Sequence, residues 1–447
     1  MQPVREWRPR EAHVCCQRRF GRPLFLCSRA CGRLLRLARL VRLAGKLLLG
    51  LGRRVEASSE REEVAGSSPT LGDLFLSFLR LGATAFGGPA MVAYIGEVVV
   101  KRKKWLDEPA FRGGVVLAQS LPGATMMQTV AYVGLQTKGA WGALVSYIGF
   151  GLPAFLLMLG FSAFYAAYGS LPRIAPVFSG LQVIVVAIVA NATYAFGKAS
   201  LRLYMHVLLA AASAAAFGLG ASPFYVILGS ALAGMLLLKE KPEPQHAREG
   251  RKSFAAAPVV ILLALPAFGL LFLSFARPGV FRLALLMLKV DLFAFGGGFA
   301  SLPLMLQEVV HVRGWMDART FMDGIALGQV TPGPIVITAA FVGYLTHHIL
   351  GAIVATISIF TPSFLLVILV APFFNKLKAS PYFARATQGI LSSFVGLLLF
   401  VTISFAAAVP WNLLRLLLAL AALAALLRKV GLPYVVLTGA ALSFLLF

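Results

Sequence analysis

The sequence predicts an all-α polytopic membrane protein built from two homologous halves set as inverted repeats. Three observations predict it. Of the 447 residues, 59% are hydrophobic and 13% charged, with a mean hydropathy of +0.83. A soluble domain carries roughly 25% charged residues. Apolar runs recur from residue 71 to the end, many reaching the roughly 20 residues a spanning helix needs. The second half of this body also repeats the first.

The repeat is carried by matched motifs. "FLRLGATAFGGPA" aligns with "LKVDLFAFGGGFA", Trp105 and Asp107 with Trp315 and Asp317, and "AQSLPGA" with "GQVTPGP". The last pairs Gln119 with Gln329 and Pro122-Gly123 with Pro332-Gly333. Gly134 then pairs with Gly343, Gly142 with Gly351 and Pro153 with Pro362. Mates stay about 210 positions apart throughout, a register that two merely greasy stretches have no reason to hold.

The elements follow in order. Residues 1–66 form a basic extension, whose "RLLRLARLVRLAGK" is amphipathic as a helix and lacks the apolar core and cleavage site of a secretory signal. "EASSEREEVAGSSPT" is a polar linker into the body. The first repeat, 67–238, holds spans at 71–100 (interrupted), 113–136, 141–168, 177–197, 203–219 and 222–238. A charged linker, 239–256, and an unmatched span within 257–279 follow. The second repeat, 280–447, holds 280–310 (interrupted), 320–346, 349–373, 386–408, 411–427 and 430–447. That makes about 13 transmembrane segments. Seven separate equivalent positions, and an odd number turns the second repeat upside down. The basic "KRKK" at 101–104 faces a weaker counterpart at 311–319, as loops on opposite membrane faces should. An Arg-rich N-terminus and "KRKK" share one face only if 71–100 is a re-entrant hairpin.

The net charge of +24 does not point to nucleic acid. Residues 1–66 hold 15 of the 41 basic residues, and the rest are scattered over short loops. All four cysteines (Cys15, Cys16, Cys27, Cys31) lie in the extension, so the body has neither disulfide nor cysteine nucleophile. No cofactor and no metal site is expected. His347-His348 reads as a loop or interfacial pair.

The candidate site lies at the breaks. Gly87-Gly88-Pro89 and Gly296-Gly297-Gly298 interrupt apolar helices, and Pro122-Gly123 and Thr331-Pro332-Gly333 form a second symmetric pair. Freed backbone groups are tolerated in hydrocarbon only inside protein or beside a water-filled cavity. Half-helix N-termini there suit an anion. The competing reading is close helix packing. Arg80 and Lys289 are symmetry mates, each seven residues before its first glycine and so on the face leading into the break. Ionisable residues in apolar segments are usually functional, although both cations could snorkel to an interface. Together they are expected to neutralise a dianion. Asp291 could partly neutralise Lys289 or carry a coupling proton, and Glu97 and Glu308 are further proton-coupling candidates. Gln119 and Gln329 complete the substrate-binding set.

In "FGGPAMVAYI", "LAQSLPGA", "FGGGFASLPLM" and "GQVTPGPIVITAAFVGY" the sequence resembles the chromate ion transporter family, in its two-domain form and over residues 70–447. The resemblance implies a secondary transporter of the plasma (inner) membrane that exports chromate from the cytoplasm. It implies proton coupling and chromate resistance, in a fold of two antiparallel halves. Sulfate, a tetrahedral oxyanion of the same shape, is the neighbouring substrate. The bilayer is the expected partner, and a homodimer is compatible with the reading. The second break reads Gly-Gly-Gly where the first reads Gly-Gly-Pro, so the two need not be equivalent in detail. No ATP-binding loop, HExxH or Ser-His-Asp set is present, which leaves a membrane enzyme or scaffold as the reading from another class.

Overall fold

A computed structural model describes residues 69–84, 90–169, 171, 174–238 and 256–446. The basic extension, most of the charged linker and Gly87-Gly88-Pro89 lie outside them. All regular structure among the described residues is helical.

In the first repeat α1 spans Leu71–Thr84 and α2 spans Ala90–Gly96, followed by a π-turn at Glu97–Arg102. Next come α3 (Glu108–Ser120), α4 (Thr125–Tyr168), α5 (Ala175–Ser200), α6 (Tyr204–Gly218) and α7 (Pro223–Leu237). α8 (Ala256–Ala276) links the halves. The second repeat holds α9 (Pro278–Phe293), α10 (Ser301–Leu306) with its π-turn (Gln307–Val312), α11 (Ala318–Val330) and α12 (Thr338–Val370). It closes with α13 (Phe374–Lys378), α14 (Pro381–Ala408), α15 (Leu413–Leu427) and α16 (Leu432–Leu446).

The matched Trp-x-Asp motifs have a local cause. Asp107 and Asp317 cap α3 and α11 by accepting the Ala110 and Thr320 N–H groups at 3.1 and 2.8 Å. The Trp105 and Trp315 N–H groups close the preceding π-turns onto Val99 and Val309. The two repeats thus build each reversal with the same residues.

Both interrupted segments are hairpins. Lys289 on α9 reaches Glu308 at 3.1 Å, whereas a straight helix would hold residues 19 apart by about 28 Å. In the first repeat Phe78 and Trp105 bring their rings to 6.2 Å. The stretches 113–136 and 320–346, expected as simple spans, also fold back. Gly114 packs on the Tyr132 ring and Gly324 on the Phe341 ring. The extended Leu121 and Thr331 end α3 and α11, and Pro-Gly reverses the chain. α4 then reverses again at Lys138 (φ −134°) and Gly139 (φ 66°), and α12 at His347 (φ −140°) and His348 (φ 54°). Gly134 against Gly142, and Gly343 against Gly351, let the arms touch backbone to backbone.

The shorter apolar helices also differ from expectation in depth. α6, α7, α15 and α16 have 15 residues each, about 22 Å, against a hydrocarbon core of ~30 Å. Among the described residues five helices are long and apolar enough to cross: those at 125–168, 175–200, 257–276, 335–373 and 381–408. α5 has 67% of its most apolar stretch buried and α8 only 6%. α8 therefore offers Leu265, Phe268, Phe272 and Phe275 to lipid.

α5 and α14 cross at the centre. Thr193 lies against Thr402 and Gly197 against Val395. As the number rises on one helix it falls on the other, so the two run antiparallel. Two symmetry-related helices crossing antiparallel require inverted repeats.

Candidate functional site

The site is assembled from hairpin tips. At the first Pro-Gly tip Gly123 adopts φ +111°, a conformation open to glycine at no steric cost. Its N–H donates to the Ala294 carbonyl, at the start of the second glycine break, at 2.8 Å. In that break Gly296 and Gly297 adopt φ +91° and +99°. A Cβ on Gly297 would lie 3.3 Å from Thr125 Oγ1, and one on Gly298 2.8 Å from Ile335. The second Pro-Gly tip has Gly333 at φ +111°, beside Ala154. Three described tips, two from one repeat and one from the other, therefore meet.

At those tips begin α4, the short 3₁₀ turn Ile335–Ile337 that opens α12, and the turn Gly298–Ala300 that opens α10. None of the three starts carries a side-chain cap. Their first N–H groups have no intrahelical partner, and the positive dipole end of α4 points into the junction. Glycine at these positions lets the segments pack closely, with Ser363 against Gly123 and Ile335 and Val336 against Gly298.

Asp291 is fully buried beside this junction. Its Oδ2 accepts the Ser363 N–H at 2.8 Å and the Ser363 Oγ–H at 2.5 Å. Oδ1 has no hydrogen-bond partner, and a Cβ on Gly123 would sit 3.0 Å from it. Asp291 thus turns to Ser363 and not to Lys289, because the intervening turn places the two on different sides of α9.

The other candidates divide. Gln329 is buried with an unpartnered Nε2, while its mate Gln119 is exposed. Thr331 is buried and donates to the Gly328 carbonyl at 2.8 Å. Pro122 and Pro332 are buried at their tips, and the Pro122 carbonyl accepts from Gln128 at 2.6 Å. Lys289 lies 3.1 Å from Glu308 and 3.5 Å over the Phe224 ring. Glu308 is held on its other side by Arg313 at 3.4 Å. Arg80 is exposed on α1, and Glu97 is exposed and paired with Arg102 at 2.9 Å. No described contact joins Arg80 to Lys289, the two cations expected to grip one dianion. A carboxylate already holds Lys289, and α1 turns Arg80 outward.

Sequence reading passed over a second buried acid. Asp323 on α11 accepts from Tyr165 Oη and Gln182 Nε2, each at 2.9 Å. Its signal was present: a lone acid in an otherwise apolar stretch, the same feature that singled out Asp291.

Fold and site define a class: an all-α membrane protein of two inverted halves whose broken helices meet at the centre, the architecture of secondary transporters. The chromate transporter family model matches residues 72–235 and 281–444, and the chain belongs to that family. It is 43% identical over 385 residues to an uncharacterized transporter of Methanocaldococcus jannaschii, covering 85% of this chain and 95% of the relative. It is 31% identical over 382 residues to a chromate transport protein of Cupriavidus metallidurans, covering 83% and 92%. A probable chromate transport protein of Synechococcus elongatus is 32% identical over 327 residues, covering 71% and 80%. No solved structure matches.

Proposed function

We propose that this protein is a secondary transporter of the plasma membrane that exports chromate from the cytoplasm, driven by the proton gradient, and thereby confers chromate resistance. The observation that carries the reading is the meeting of Gly123, Ala294, Gly297 and the uncapped starts of α4 and α12 at one buried junction. Oriented N–H groups there replace part of an oxyanion's hydration shell. Gln329 adds a side-chain donor. Of the three acids named as proton carriers, Asp291 fits best. It is buried at the junction with one oxygen unpartnered, whereas Glu97 is exposed and Glu308 is held by two cations.

Sulfate is the second reading. Backbone N–H groups select for charge and tetrahedral shape, which chromate and sulfate share. The purified protein in proteoliposomes decides. Chromate is expected to accumulate under an imposed pH gradient and labelled chromate to exchange in counterflow, with sulfate and molybdate as competitors. A membrane scaffold or enzyme moves no labelled anion.

A further inference from the structure

The second repeat holds both buried aspartates of the described body, and the first holds neither. Asp291 and Asp323 are 0% and 4% exposed. Their mates in the first repeat are Gly82 and Gly113. The partners of Asp323 are equally one-sided. Tyr165 stands where the second repeat has Phe374, and Gln182 where it has Leu391. A scaffold that otherwise repeats its caps, Pro-Gly tips, π-turns and reversals thus carries two polar clusters in a single copy: Asp291 with Ser363, whose mate is Ala154, and Asp323 with Tyr165 and Gln182.

The Asp323 cluster joins the halves. Asp323 belongs to α11 of the second repeat, Tyr165 to α4 and Gln182 to α5 of the first. The Tyr165 ring is fixed edge-on against Phe178 at 4.9 Å and Phe341 at 5.1 Å. Tyr165 and Gln182 each donate to a different oxygen of Asp323. An ionised carboxylate accepts both bonds at once. A proton on the oxygen facing Gln182 Nε2 sets donor against donor and that bond must reorganise, whereas a proton on the oxygen facing Tyr165 lets the phenol reverse and accept. Asp323 lies about 9 Å along the helix from its cap Asp317 and ~12 Å short of the tip at Thr331. It stands between the membrane face and the anion junction without belonging to the junction.

We infer that Asp323, held between Tyr165 and Gln182, is a proton-binding latch whose occupancy ties movement of one repeat against the other to the proton gradient. The inference rests on the proposed proton-driven transport. The step forms and breaks one O–H bond. A proton from water on one face binds the carboxylate oxygen that faces Gln182, that inter-repeat bond releases, and the proton leaves to the other face. Inverted repeats interconvert two end states of matching shape, and a single-copy latch makes proton binding differ between them. The other titratable groups stand along α11 and the helices packed on it. Asp317 caps the same helix and Arg319, one turn before Asp323, donates to the Ala408 carbonyl at 2.9 Å; α4 and α5 present Tyr165 and Gln182, and carry besides them Tyr132, Lys138, Tyr147, Tyr168, Tyr194 and Lys198. Of the helices packed on α11, α12 carries only Tyr344 and its reversal histidines, α14 only Tyr382 and Arg385, and α16 only Tyr434.

The test uses the full chain in proteoliposomes, with labelled chromate as probe. Asp323→Asn is expected to keep counterflow within about twofold of wild type and to lose gradient-driven accumulation by at least ~tenfold, since only differential binding to the two states is removed. Gradient-driven accumulation at the wild-type level in Asp323→Asn overturns the inference. A wild type that exchanges chromate but ignores the gradient overturns the proton-driven reading instead. Should Asp323→Asn fail to reach the membrane, Tyr165→Phe with Gln182→Leu decides. These are the residues of the other repeat, and they leave the acid in place. A shifted pH profile of accumulation at unchanged chromate KM supports the latch, and an unchanged profile refutes it.

Discussion

Thr193 and Thr402, 209 residues apart in the chain, meet hydroxyl to hydroxyl at 3.1 Å. Each also donates to its own helix, Thr193 to the Val189 carbonyl at 2.8 Å and Thr402 to Leu398 at 2.7 Å. Symmetry mates touch only where they flank the symmetry axis, so this pair marks the pseudo-two-fold. The described body contains no cysteine, which makes the contact easy to probe. Thr193→Cys with Thr402→Cys is expected to cross-link on mild oxidation. With a protease site placed in the 239–252 linker, the cut chain should run as one band without reductant and as two with it. Thr193→Cys with Thr387→Cys, about four turns along α14, should give two bands in both lanes.

Gly123 and Gly297 should tolerate no side chain. At φ +111° an L-residue is strained by roughly 1–2 kcal/mol, and a Cβ at Gly123 would run into Ser363 Oγ. Gly123→Ala and Gly297→Leu are expected to reach the membrane and to move no chromate. Gly160→Ala, where a Cβ meets nothing within 4 Å, should transport like wild type. Transport by both tip variants would reduce the glycines to packing residues.

The two matched glutamines should behave differently. Gln329 is buried with a free donor and Gln119 is exposed. Gln329→Leu is expected to raise the KM for chromate about tenfold, the ~1.4 kcal/mol that one hydrogen bond to a charged ligand carries. Gln119→Leu should stay within about twofold, as surface changes do. Equal effects would show that the repeat and not burial sets their roles.

Lys289 should matter through Glu308. Lys289→Ala leaves a buried carboxylate with Arg313 alone, and losing one partner of a buried pair costs more than losing both. In thermal unfolding in detergent, the double variant Lys289→Ala/Glu308→Ala is expected to be more stable than Lys289→Ala. Arg80→Ala should change neither Tm nor chromate affinity measurably. A tenfold affinity loss in Arg80→Ala would restore the paired-cation site.

His348 occupies a turn that the other repeat gives to glycine. It sits at φ 54°, ψ −146°, against φ 66°, ψ −156° at Gly139. Such backbone is nearly confined to glycine and costs of order 1–3 kcal/mol otherwise. His348→Gly is expected to raise Tm by several degrees and Gly139→Val to lower it. A lower Tm for His348→Gly would mean that the edge contact with Tyr344, 6.0 Å between rings, outweighs the strain.

Much of this was legible in the chain. Trp105, Asp107 and their mates gave the register, and Gly296 to Gly298 marked the break between α9 and α10. Composition alone placed the protein in a bilayer. Depth was not legible. A half-span hairpin and a full span share composition, so 113–136 read as one crossing until Gly114 was found against Tyr132. Side-chain direction was hidden for the same reason. Lys289 and Asp291 are two residues apart, yet one is drawn to Glu308 and the other to Ser363, partners 19 and 72 residues away. Asp323 was visible as a type and invisible as a contact, since Tyr165 and Gln182 lie 158 and 141 residues distant.

A junction of closely packed glycine turns and uncapped helix starts has an evolutionary consequence. Side-chain pockets change their preference by single substitutions, but every residue type except proline carries the same N–H. Drift at Gly123 or Gly297 can therefore destroy the junction and can hardly retune it. On the proposed function, lineages under new chemical stress would inherit a ready generalist for small tetrahedral anions. New specificity would have to come from outside the tips, from residues such as Gln329 that reach in, or from how long the junction stays open to each face.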